Sequence, residues 1–180
     1  GDIRRRIFAQ KTIDNKILEE IYNYRFGENN SLENHSVGNL MILTAQKIWG
    51  EKKGLEYVCE LFGIKGKVLP VTYDYAELAA KLSDGRRLLG EDLIGQSLIT
   101  LRDKNDDRKI EKIYLTRPTT INPQVVSEIG KADYIILCPG DFYTSLIPNF
   151  LVPGFCEAVK KSKARIVLVS NIMTKASETQ

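Results

Sequence analysis

The chain is short of the residues that usually announce chemistry. Its 180 residues include three cysteines and one histidine. Cys59, Cys138 and Cys156 are odd in number, and their spacing fits neither zinc ligation nor a redox pair. They are expected as buried free thiols in a reducing compartment. The single His35, with no carboxylate pair nearby, argues against a metal site, and no cofactor is expected. No apolar run reaches the ~18 residues that a membrane-spanning helix needs. Charge of one sign is scarce as well. The 26 Lys+Arg outweigh the 23 Asp+Glu by only three, too little to imply a nucleic-acid partner. GxGxxG, Walker, HExxH and GxSxG patterns are all missing. No signal peptide is visible, so the expected location is the cytoplasm.

What remains is an ordinary globular composition, 43% hydrophobic and 27% charged, long enough for one domain or most of one. The chain opens Gly1-Asp2 without Met and reads as a piece of a longer protein. Ile13, Ile17, Ile21 and Tyr24 recur at helical spacing, predicting a helix over Asp14–Phe26. A second stripe runs from Val37 to Ile48 and ends near Gly50; a third, Leu55 to Phe62, stops at Gly63. Lys67–Thr72 reads as a strand whose Pro70 favours an edge. Leu78, Ala80 and Leu82 alternate with their neighbours before Asp84-Gly85, predicting a two-residue hairpin. Ser97–Leu101 and Ile110–Leu115 look strand-like around a charged loop. Asn122 and Pro123 open a short helix. Strand Tyr134–Leu137, a helix through Phe150 to Lys161 and strand Ile166–Val169 then make a βαβ unit.

The expected fold is thus α/β, with a helical segment at about 13–63, a β-hairpin region at about 67–101 and a βαβ core at about 110–170. In open parallel sheets ligands bind at the carboxyl ends of strands, which here are Cys138–Ser145 and Ser170–Thr179. Thr144 and Ser145 are N-cap candidates, and a helix start of this kind receives anions. Asp141 could orient a ribose or bind a cation. Tyr143 could stack on a base or sugar, or sit in the core. Thr144 and Ser145 could bond phosphate; Asn171 and Thr174 share that ambiguity. Arg4, Arg5 and Arg6 could clamp phosphates, or simply mark a basic helix start or chain end. His35 is read as a capping or packing residue, with a phosphate donor or an acid/base as the alternative.

Five segments, in order, resemble the superfamily of 2-phospho-L-lactate transferase and gluconeogenesis factor. They are Gly1-Asp2-Ile3-Arg4; His35-Ser36-Val37-Gly38-Asn39-Leu40; Val68–Thr72 with Asp84-Gly85 and Gly90-Glu91; Pro139-Gly140 through Asn149; and Asn171-Ile172-Met173-Thr174 with Glu178-Thr179. The His-Ser-Val-Gly-Asn-Leu form is similar to the gluconeogenesis factor branch. Cys138, Asp141, Phe142 and Lys175–Ser177 depart from the family pattern, and a carboxylate at Asp141 is expected to repel a diphosphate. The resemblance implies a Rossmann-like three-layer domain with a parallel sheet and a helical insertion. Its first glycine-rich strand and loop would precede Gly1. The implied function is a regulator of carbon use and cell shape that binds UDP-sugars such as UDP-N-acetylglucosamine, without catalysis. The alternative is a transferase moving a phospholactyl group onto a deazaflavin precursor. On this reading Tyr143 faces uracil or sugar. Arg4, Thr144 and Ser145 take the diphosphate, while Asn39 and Asn171 bond hydroxyls. A homo-oligomer is left open.

Overall fold

The computed structural model describes residues 2–12, 15–27, 31–33, 35–103 and 108–171. The chain divides into two compact units, Gly1–Pro70 and Val71–Gln180.

The first unit is helical, with α1 (Asp2–Gln10), α2 (Lys16–Asn23), α3 (Val37–Trp49) and α4 (Glu51–Leu61). α1 turns the arginine run into part of an amphipathic helix whose Ile7 is fully buried. α2 starts at Asn15, whose side chain accepts the Leu18 N–H at 3.1 Å. It is shorter than the predicted Asp14–Phe26, because the chain turns extended at Tyr24 and Arg25 bridges to Ser36. α3 is capped by the Ser36 hydroxyl, which accepts the Asn39 N–H at 3.3 Å. At the end of α4, Gly63 N–H reaches Glu60 O (2.9 Å) and Ile64 N–H reaches Cys59 O (3.0 Å). This is a Schellman closure, and it needs the positive φ of 63° that Gly63 adopts.

One cluster holds these helices: Ile7, Tyr22, Ile42, Ala45, Leu55, Val58 and Phe62. The Tyr22 and Phe62 rings lie 4.5 Å apart. Gly54 brings α4 against α3 so closely that a Cβ there would sit 2.5 Å from the Ala45 carbonyl. On the outer face of this pair Trp49 meets Tyr57 edge-on at 5.2 Å, beside an open apolar cleft between the two helices.

The second unit is α/β. Strands β1 (Leu78–Leu82), β2 (Arg87–Leu89) and β3 (Ile110–Leu115) form an antiparallel sheet in the order β2-β1-β3. The hairpin is where the Asp-Gly signal placed it, but its loop has three residues. Leu82 N–H pairs with Arg86 O at 2.9 Å, and Gly85 takes φ 86°. Asp84 fixes the loop by accepting both Arg86 N–H and Arg86 Nε. Helix α5 (Glu91–Asp103) replaces the strand expected at Ser97–Leu101. Its acidic first turn, Glu91 and Asp92, favours a helix start, and Ile94 anchors it to β1 in a second small core with Leu78 and Ala80. Lys67–Thr72 is not a strand. Pro70 supplies no donor for a ladder, and the Val71 carbonyl instead accepts the Asn122 N–H at 2.8 Å.

Helix α6 (Pro123–Lys131) follows, capped by Asn122 as expected. Strands β4 (Tyr134–Leu137) and β5 (Arg165–Leu168) pair in parallel, Tyr134 with Arg165 through Leu137 with Leu168. Between them run a π-helical turn (Phe142–Leu146), α7 (Ile147–Leu151) and α8 (Phe155–Lys161). The single helix expected through Phe150 is broken at Val152–Gly154, where Pro153 and the φ of 92° at Gly154 end one segment and start another. The α/β class, the parallel pairing and the hairpin are as the sequence predicts. Among the described residues, no helix is long and apolar enough to cross a membrane.

Candidate functional site

The carboxyl ends of β4 and β5 meet in one polar turn. After Leu137 the chain runs through Cys138-Pro139-Gly140 to Asp141, which caps the π-helical turn. Asp141 Oδ1 accepts the Thr144 N–H at 3.2 Å. Its carbonyl takes the N–H groups of Ser145 (2.8 Å) and Leu146 (3.1 Å), the second of these giving the turn its extra residue. The cap is therefore Asp141, one turn ahead of the expected Thr144 or Ser145. The departure from the family pattern has a structural use: the carboxylate occupies the place at the start of the turn that the sequence assigned to an anion.

Asn171, beyond β5, donates its Nδ2 to Gly140 O at 2.9 Å and so ties the two strand ends together across 31 residues. Thr144 is buried, while Asp141, Tyr143, Ser145 and Asn171 are half-buried. The Tyr143 ring meets Phe142 edge-on at 5.1 Å. Asn149 locks the next turn by donating to the carbonyls of Ser145 (2.8 Å) and Leu146 (3.2 Å). It also lines a small cleft within the second unit with Pro148, Val71 and Thr72. Five predicted residues, Asp141, Tyr143, Thr144, Ser145 and Asn171, thus belong to one neighbourhood. Thr174 lies outside the described residues.

Arg4 and Asn39 belong to the first unit. Asn39 is half-buried in the first turn of α3. Arg4 donates from Nη1 to Asn23 Oδ1 at 2.7 Å, and its backbone carbonyl receives the Tyr22 hydroxyl at 3.3 Å. Its Nε is buried without a hydrogen-bond partner among the described residues. The side chain of His35 is exposed and caps nothing; that role belongs to Ser36, which is fully buried. Burial, then Glu56 and Glu60, push the Cys59 thiol above its ordinary range, which suits an inert packing thiol. Asn23 escaped sequence reading because its partner lies 19 residues away and no motif marks it.

The 2-phospho-L-lactate transferase CofD family model matches residues 1–180. The chain belongs to this family. The chain is also similar to proteins that carry another name. The gluconeogenesis factor of Halalkalibacterium halodurans is 35% identical over 99% of this chain, and that of Bacillus subtilis is 34% identical over 99%. A crystal structure of a Bacillus halodurans protein superposes with a TM-score of 0.83 at 35% identity, over 99% of this chain and 55% of that one. The chain spans about half the length of the curated family relatives it matches, 53% and 54% for the two named.

Proposed function

We propose that the chain is the nucleotide-sugar-binding part of a cytoplasmic regulator of the gluconeogenesis factor type. Its ligand would be UDP-N-acetylglucosamine or a relative, and it would act by binding. The observation that carries this reading is the Asn171–Gly140 bond of 2.9 Å. It joins two parallel strands at their carboxyl ends around a polar turn, the place where open α/β sheets hold ligands. Relatives named gluconeogenesis factor favour the regulatory branch over the transferase.

In this reading Tyr143 stacks on the uracil or the sugar. Thr144 and Ser145 offer hydroxyls, Asn39 and Asn171 bond ribose or sugar hydroxyls, and Arg4 takes phosphate charge. Asp141 acts first as the cap that orders the turn; its charge there makes an arginine the better partner for the diphosphate.

Calorimetric titration of the full-length protein with UDP-N-acetylglucosamine, a GTP-like donor and NAD tests the reading. Binding of the UDP-sugar alone is expected. Tyr143→Ala is expected to weaken that binding by roughly ten- to hundredfold, the range of one lost stacking contact, with an unchanged melting curve. Tyr143→Phe should bind like the parent. A fall in melting temperature with unchanged affinity would put Tyr143 outside the site. Turnover of a phospholactyl donor would favour the transferase instead.

A further inference from the structure

We propose that Asn23 is a positioning residue for the Arg4 guanidinium, holding it in the pose in which it meets the anionic part of the ligand; this rests on the phosphate role given to Arg4 above. Three restraints converge on Arg4. The first is the 2.7 Å bond from its Nη1 to Asn23 Oδ1. The second sets which end of the Asn23 amide faces the arginine. Asn23 Nδ2 donates to the Glu19 carbonyl at 3.0 Å, one turn back on α2. A carbonyl only accepts, so the NH2 end must point there and the oxygen must point at Arg4. Glu19 is itself held by an ion pair with Lys11.

The third restraint is steric. A Cβ at Gly38 would lie 2.9 Å from Arg4 Cδ and 2.7 Å from the Tyr22 ring. Both side chains therefore run flush against α3, and only glycine permits it. The stem of Arg4 is fixed by this packing, and its backbone by the Tyr22 hydroxyl. Among the described residues the head meets one hydrogen-bond partner, Asn23, while Nε is buried without one. A guanidinium recognises phosphate through a planar fork of donors, so its orientation decides how many of those donors an oxyanion meets. Removing Asn23 would leave the charge in place and release its orientation. This also gives Gly38, within the His-Ser-Val-Gly-Asn-Leu segment, a physical reason to be glycine.

The test titrates the full-length protein with UDP and with uridine, because the difference between them isolates the phosphates. Asn23→Leu removes the acceptor, and Asn23→Ser is too short to reach Nη1 and serves if the leucine variant does not fold. Either is expected to lower UDP affinity by roughly tenfold, the size of one lost hydrogen bond to a charged group, and to leave uridine affinity unchanged. In an Arg4→Ala background the same substitution should cause no further loss for UDP. Equal losses for UDP and uridine, or an added loss in the Arg4→Ala background, would make Asn23 a plain structural staple and overturn the proposal. A loss with Arg4→Ala and none with either Asn23 variant would overturn it while leaving Arg4 at the phosphate. If the parent binds no uridine nucleotide, the proposed function falls and this inference with it.

Discussion

The helices of the first unit and the parallel strand pair of the second solve opposite halves of the folding problem. In the helical unit, Ile7, Tyr22, Leu55 and Phe62 are each at most 2% exposed and pack in one cluster. In the strand pair the backbone is fully matched over four residue pairs, yet Ile136, Ile166 and Leu168 remain 56%, 57% and 65% exposed. Register comes from main-chain pairing and needs only two strands. Burial needs a layer on each face, and parallel strands are ordinarily covered on both. The apolar runs at 134–137 and 166–169 therefore identify strands to within a residue but say nothing about what covers them within these 180 residues.

Substitutions should separate the two regions. The largest effect is expected from Phe62→Ala, a cost of ~3–5 kcal/mol, because the ring is 1% exposed and faces Tyr22. Denaturant titration of the 180-residue chain would measure it, and a cost below that of a surface change would mean the helical core is loose. Gly54→Ala comes next at ~1–3 kcal/mol, since the added methyl meets the Ala45 backbone, which yields less easily than a side chain.

Tyr22→Phe should cost ~1 kcal/mol through the lost bond to the Arg4 carbonyl. It also carries a pH signature. Burial pushes the Tyr22 phenol from its ordinary 10 up to about 12. The fold thus prefers the neutral phenol. Its contribution is complete below pH 10 and is lost as pH rises toward 12. Alkaline melting of the parent should show that loss and Tyr22→Phe should not; identical alkaline profiles would count against the burial of the phenol. The smallest effect belongs to Ile166→Thr, expected within ~0.5 kcal/mol in the same chain because the side chain is 57% exposed. A cost near that of Phe62→Ala would show that the strand pair is covered after all.

Elements with a chemical stop sign were legible. Gly50 and Gly63 bounded α3 and α4, Asp84-Gly85 marked the hairpin, and Asn122-Pro123 opened α6; the Ser36 cap of α3 was missed in favour of His35. Failures came where tertiary context outranked local pattern. Ser97–Leu101 has β-like residues but continues a helix that starts at Glu91 and is anchored by Ile94. Lys67–Thr72 is rich in β-branched and apolar residues like an edge strand but joins no ladder among the described residues. In the candidate site, the strand-end location was legible from the Pro-Gly turn. The capping role of Asp141 was not, because it depends on a π-helical turn that no periodicity announces, and Asn23 became visible only when α1 and α2 packed.

Trp49 is the only tryptophan in these 180 residues, and it sits in the helical unit against Tyr57. Within this chain its emission is a private channel for that unit. Tryptophan fluorescence therefore starts from the surroundings of Trp49 in that unit, whereas far-ultraviolet dichroism reports the helices and strands of both units. A fluorescence change on adding a uridine nucleotide would come from the unit that carries Arg4 and Asn23.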